Sequence, residues 1–209
     1  MCKFDLGFDI YDQALTTGLF ISTHKRLPKR NGDINDFHYK IKRNGELKLP
    51  ERGFVTDKEF AKIFVRGILG DDFVIPTIAV LHTEKEIQEF DFPERCVAKS
   101  TQSSGEYIVL PTGSAEERTT MASWLKSNLY LRTRAWNYQH LKPKIIVEEL
   151  VFAEENVQEF KIFCRNGVAK VILTIEERHT DSRKSFFSRD WKYLEVENLQ
   201  SPSDRHSPM

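Results

Sequence analysis

What most constrains the fold of this chain is residues 94–110. A short apolar strand, Cys96-Val97-Ala98, delivers Lys99 into the loop Ser100-Thr101-Gln102-Ser103-Ser104-Gly105, and a second strand, Tyr107-Ile108-Val109-Leu110, follows at once. Small polar residues and a glycine between two β-forming runs are the composition of a tight, hairpin-like connection. Such a loop can close over polyphosphate, because Gly105 lets the backbone approach closely while amides and hydroxyls donate to phosphate oxygens. A lysine at its mouth therefore suggests an anion site. Lysine at a strand end is ordinarily a solvated surface residue, so the loop takes its meaning from the rest of the chain.

With 209 residues, 40% of them hydrophobic and 11% aromatic, the chain can bury a core and form one globular body or two small subdomains. Lys+Arg and Asp+Glu both number 31, so no basic excess drives generic binding to nucleic acid or an anionic membrane. Any anion site is local. Cys2, Cys96 and Cys164 are odd in number and have no Cys-x-x-Cys spacing, which is how a reduced, cytoplasmic protein uses cysteine. Asp5, Asp9 and Asp12 interrupt the N-terminal apolar run, leaving no signal-peptide core, and no stretch is long enough to span a bilayer.

Residues 1–50 read as a leader or lid, with a possible short helix from Tyr11 to Phe20, the basic cluster Lys25-Arg26-Lys29-Arg30, and turns at Asn31-Gly32 and Asn44-Gly45. The cluster reads as a solvated loop or a contact for an acidic substrate. Between the turns runs the short segment Phe37-His38-Tyr39-Lys40-Ile41, and Pro50 breaks the chain. In 51–94, Thr56 caps a helix to about Leu69, with Phe60, Ile63, Phe64 and Ile68 at helical spacing and Gly70 as its stop. A strand broken by Pro76, hence lying at an edge, and a helix from Glu84 to Glu89 capped by Thr83 complete that part. In 95–150, the Lys99 strand pair is followed by two helices, the first opened by a Ser114/Glu117 capping box, and by the strand Lys144-Ile145-Ile146-Val147-Glu148-Glu149. In 151–199, Glu159-Phe160-Lys161-Ile162-Phe163-Cys164 and Val168 to Ile175 flank Asn166-Gly167, the strongest hairpin signal in the chain. A strand at Phe186-Phe187 follows, and the Ser-, Pro- and charge-rich residues 200–209 read as a disordered tail.

Thr56-Asp57-Lys58, Val97-x-Lys99, Leu141-Lys142-Pro143-Lys144-Ile145-Ile146-Val147-Glu148-Glu149, Lys161-Ile162-Phe163-Cys164-x-Asn166-Gly167 and Phe186-Phe187-x-x-Asp190-Trp191 fall in one order. In that order the chain resembles the TupA-like ATP-grasp family, associated with teichuronopeptide, capsule and other surface-polysaccharide loci. The resemblance covers about residues 35–191. It implies an α/β (α+β) fold of two small subdomains whose antiparallel sheets flank a nucleotide cleft. It also implies ATP and Mg²⁺ as cofactors. Lys58 and Lys99 are then similar to the two lysines that hold the nucleotide phosphates, and Ser103, Ser104 and Gly105 to the loop that folds over them. Glu148, Glu149 and Leu150 resemble the hinge that meets the adenine edge. Glu159, with Lys161 beside it at the start of the hairpin, matches the ribose-binding acid. These residue types suit the tasks, since two ammonium groups neutralise a triphosphate and an ionised carboxylate accepts from hydroxyls.

The chain departs from the pattern at Gln102-Ser103 in the loop and at Asp181-Ser182 after the hairpin. Its late carboxylates, Glu176, Glu177, Asp181, Asp190, Glu195 and Glu197, do not fall where relatives hold Mg²⁺, so the sequence reads as truncated before a metal-binding segment. Two functions stand. One is ATP-dependent ligation of a carboxylate, on a sugar or glycan precursor, to an amine through an acyl phosphate. The other is a degenerate homologue that binds nucleotide, or is structural only, without turnover; on the truncated reading this chain binds nucleotide weakly at best. A protein kinase is set aside, because no Gly-x-Gly-x-x-Gly precedes Lys99 and no His-Arg-Asp or Asp-Phe-Gly follows.

Overall fold

The computed structural model describes residues 6–30, 32–109, 111–151, 158–176 and 183–195. The sequence readings at Asn31, Leu110, Glu177, Asp181-Ser182, Glu197 and the 200–209 tail lie outside them. The chain divides into two compact units, Met1–Leu150 and Val151–Met209. Each contains a four-stranded antiparallel sheet, and helices accompany the first. The architecture is the expected α+β type.

The first unit opens with helices α1 (Leu6–His24) and α2 (Ile34–Arg43). α1 is longer than the sequence suggests, because one of the interrupting acids has a buried partner. Asp12 accepts from the Tyr130 hydroxyl and lies 3.5 Å from the Arg134 guanidinium. Burial, and then Asp12, push the Tyr130 hydroxyl up to about 12. The segment around Phe37-His38-Tyr39 is part of α2, which starts with an Asp33/Asp36 capping box.

Two helices follow where one was expected: α3 (Pro50–Thr56) and α4 (Lys58–Leu69). Pro50 occupies the first turn of α3, where its missing N–H costs nothing. Thr56 is not a cap; it ends α3 and its hydroxyl donates to the Arg52 carbonyl at 2.6 Å. Asp57 caps α4 instead, accepting from Glu59 N at 2.9 Å. A carboxylate suits this buried position better than a hydroxyl. Its second oxygen also meets Lys144 at 3.1 Å and accepts from the Thr101 hydroxyl at 3.3 Å. Gly70 ends α4 at φ +97° as the sequence predicts.

Strand β1 (Thr77–Leu81), helix α5 (Glu84–Glu89), strands β2 (Cys96–Ser100) and β3 (Tyr107–Val109), helices α6 (Ala115–Trp124) and α7 (Leu129–Thr133), and strand β4 (Ile145–Glu149) complete the unit. The sheet order is β1-β4-β2-β3, so the proline-preceded β1 is an edge strand as expected. In the β2–β4 register Ala98 faces Val147 and Ser100 faces Ile145, while Val97 faces Glu148 and Lys99 faces Ile146. Period-two alternation therefore gives the sheet two unlike faces. On one, Cys96, Ala98, Ile145, Val147 and Leu81 form a single core with Ile87 of α5 and Met121 and Trp124 of α6. On the other lie Val97, Lys99, Ile146 and Glu148, and Lys62 of α4 reaches Glu148 there.

The second unit is a meander, β5 (Glu159–Arg165), β6 (Val168–Glu176), β7 (Arg183–Ser188) and β8 (Tyr193–Leu194), in that order across the sheet. Asn166 and Gly167 have φ of +52° and +73°, as the two central residues of a type I′ turn must. Ile172, Leu173, Thr174 and Ile175 of β6 are buried on both faces.

Candidate functional site

β2 brings Lys99 to the start of its loop, and the loop divides into an anchored half and a free tip. Ser100, Thr101, Gln102 and Ser103 are buried, whereas Ser104 and Gly105 are exposed. Thr101 N donates to the Lys144 carbonyl at 2.9 Å, and Lys58 N donates to the Thr101 carbonyl at 3.2 Å. The Gln102 side chain donates to the Trp124 carbonyl at 2.8 Å and accepts from Lys144 N at 3.1 Å. Gln102 is thus a structural bracket joining the end of α6 to the residue before β4. The tip is open by comparison: Gly105 sits at φ +84° with nothing within 4 Å of where a Cβ would be.

Four lysines gather around this loop and the neighbouring strand. Lys58 donates through Nζ to the carbonyls of Ser100 and of Ser103, the latter at 2.6 Å. Lys99 Nζ is 2.6 Å from one oxygen of Glu148, and Lys62 Nζ is 2.5 Å from the other. Lys144, buried, pairs with Asp57 and Glu59 and lies over the Phe60 ring. Burial holds the Lys58 ammonium below the usual lysine range, and the nearby Lys99 charge adds to it. For Glu148, burial pushes the carboxyl up, but hydrogen bonds from Lys62 and Lys99 outweigh it and the net shift is downward. Lys58 makes its hydrogen bonds to carbonyls, and Lys99 shares one carboxylate with Lys62 while keeping 30% of its side chain exposed. This group has cationic capacity for an anion.

Lys58 is thus joined to Ser103 and Lys99 to Glu148, with the two pairs near enough for their charges to act on one another. Glu149 and Leu150 lie at the same strand end but on other ground. Glu149 pairs with Cys96 across β4 and β2, so its side chain leaves the sheet on the face opposite to Glu148. With Ile78, Pro93, Arg95 and Leu150 it lines an open cavity of about 480 Å³. Main-chain bonds set this end, Glu149 N to the Pro76 carbonyl at 3.3 Å and Leu150 N to the Arg95 carbonyl at 3.1 Å. Glu159 and Lys161 belong to the second unit, where they share a face of β5 with their charged groups 3.6 Å apart.

The sequence reading missed Lys62 and Lys144. Lys62 carried a signal, standing four residues after Lys58 and so on the same side of the helix. Lys144 carried none, since its partners are 85 or more positions away in the chain. Among the described residues no three His, Cys, Asp or Glu side chains gather where they could hold a metal ion.

No curated protein and no solved structure matches the chain. The family model described as TupA-like ATPgrasp matches residues 39–205. That span takes in Lys58, the Lys99 strand and loop, the Glu148 strand end and the Asn166-Gly167 hairpin, and it makes this chain a member of the TupA-like ATPgrasp family, an ATP-grasp protein.

Proposed function

We propose that the chain binds ATP through Lys58 and Lys99 and uses it to join a carboxylate to an amine. The observation that carries this reading is the convergence of Lys58, Lys62 and Lys99 around the buried Glu148, beside a loop whose anchored half is fixed and whose Ser104-Gly105 tip is open. Membership of the ATP-grasp family implies nucleotide binding, and these ammonium groups suit the neutralisation of a triphosphate. Lys58 and Lys99 would take the phosphates and Ser103, Ser104 and Gly105 would close over them. The end of β4, Glu148 to Leu150, is proposed to meet the adenine edge from the Glu148 side, since the Glu149 side chain and its cavity lie on the other face of the sheet. Glu159, with Lys161 beside it, is proposed for the ribose hydroxyls.

In the reaction a carboxylate oxygen of the acceptor attacks the γ-phosphorus and ADP leaves, giving an acyl phosphate. The amine nitrogen then attacks the acyl carbon, inorganic phosphate leaves, and the nitrogen loses a proton to give the amide. The protein performs no covalent step. Positioning the reactants and stabilising developing charge with Lys58 and Lys99 carry the catalysis. The surface-polysaccharide association of the resemblance points to a uronic-acid type of carboxylate on a sugar or glycan precursor, acted on in the cytoplasm where ATP is supplied. Among the described residues no helix is long and apolar enough to cross a membrane.

The test is to incubate the purified chain with ATP, MgCl₂, glucuronate and glycine, measuring ADP release and amide mass in the wild type and in Lys99→Ala. ADP and amide formed together, and lost in Lys99→Ala, support the reading. ATP binding without ADP or amide would instead support a nucleotide-binding protein without turnover.

A further inference from the structure

A concentration of unpaired positive charge lies away from the lysines of the β2 loop, at the turn between α1 and α2. This turn is firmly built. Arg26 donates to both oxygens of Asp36, at 2.7 and 2.9 Å, and the main-chain N–H groups of Lys29 and Asp33 donate to the same carboxylate at 2.7 and 3.0 Å. Gly32 permits that closeness, because a Cβ there would lie 1.8 Å from an Asp36 oxygen. Between the turn and the side of α2 is an open cavity of about 460 Å³, whose charged lining is Lys29, Arg30, Asp36, Lys40 and Arg43.

Asp36 is the only carboxylate in that lining, is 3% exposed, and shares the Arg26 guanidinium with Asp33. Arg43 donates to the Tyr39 hydroxyl and to the Gln13 side-chain carbonyl, both at 2.6 Å and both neutral, so it is held in place with its charge unpaired. Lys29, Arg30 and Lys40 have no carboxylate partner among the described residues. Four cations without a carboxylate partner around one cavity outweigh the one carboxylate charge that Arg26 leaves over at the turn, and this local excess, in a chain whose net charge is zero, attracts an anion.

We propose that this cavity binds the phosphate group of a small phosphorylated molecule. Two guanidinium groups and two ammonium groups match a dianion with several acceptor oxygens better than they match a single carboxylate. The concave shape suits a small ligand rather than a flat membrane surface. None of the cavity's residues belongs to the Lys58–Lys99 group, so the site stands whether or not that group binds ATP.

Inorganic phosphate is the probe, titrated against the full chain carrying Lys99→Ala to weaken the other lysine group. Binding is followed by calorimetry and by the backbone amide signals of Lys29 and Lys40. Saturable binding is expected, with shifts at those amides. Lys29→Gln and Lys40→Gln should each weaken it about tenfold, as loss of a charge-assisted hydrogen bond does, and the double variant should abolish it. Both lysines are exposed, and an unchanged circular dichroism spectrum checks that the variants fold. Absence of saturable binding, or binding that survives the double substitution, overturns the proposal. So does lysine-dependent binding to phosphatidylglycerol vesicles without binding of free phosphate, which would assign the cations to a membrane headgroup.

Discussion

The two faces of the first sheet are made by alternate residues of the same strands, yet they are built on opposite principles. On one face Cys96, Ala98, Ile145 and Val147 meet Ile87, Met121 and Trp124, all of them apolar and nearly or fully buried. On the other, Glu148 is taken out of water with two lysines on it, and Lys58 is half-buried against carbonyls. Apolar packing of the first kind stabilises a fold directly. Burying an ion pair of the second kind is often no better for stability than an apolar replacement, because desolvation offsets the attraction. The difference teaches that the apolar face holds the unit together, while the charged face carries the lysines that the proposed nucleotide site would use.

The comparison breaks most sharply at Lys144, the lysine whose role is structural. Lys144→Ala leaves Asp57 and Glu59 without their cation, Asp57 being 1% exposed, and should cost about 3–5 kcal/mol in denaturant unfolding. A cost below about 1 kcal/mol would make Lys144 a spectator. Next in size is Met121→Ala on the apolar face, expected to cost about 2–5 kcal/mol through the cavity it leaves. ATP affinity, compared by calorimetry at a temperature where both proteins are folded, should stay the same; a parallel loss would join the two faces functionally.

Glu148→Gln sharpens the comparison through pH. Its carboxyl is held below its ordinary value of 4.5 in the folded protein, so its contribution is present above that pH and is lost as pH falls through the depressed value. The glutamine variant should lose about 1 kcal/mol at neutral pH. Its stability should also vary less with pH below 4.5 than that of the wild type. Equal acid sensitivity in both proteins would show that Glu148 is not held by the lysines.

Local chemistry was the legible part of the sequence. Asn166-Gly167 needs two positive φ angles, the Ser114/Glu117 box satisfies its own N–H groups, and Gly70 ends a helix; each is decided within a few residues. Errors came where a distant partner decided. Asp12 reads as an interruption of α1 until Tyr130, 118 positions on, is placed against it. Asp57 displaces Thr56 as the cap because Lys144 and Thr101 need its second oxygen. In the candidate site, Lys58 and Lys99 could be named from the order of motifs, but their sharing of a neighbourhood with Lys62 and Glu148 depends on strand register. The opposite outlooks of Glu148 and Glu149 follow from the same register, which a sequence does not display.

The central claim is that the charged face serves a nucleotide, and calorimetric titration of ATP into the wild type and Lys99→Ala tests it most directly. Lys62 still holds Glu148 in the variant, so unfolding stability should change by no more than about 1 kcal/mol. ATP binding should weaken by about 1.5–3 kcal/mol, the loss of one charge-assisted hydrogen bond to phosphate. Equal ATP affinity in two equally folded proteins would contradict the account and leave Lys99 as a partner of Glu148 alone.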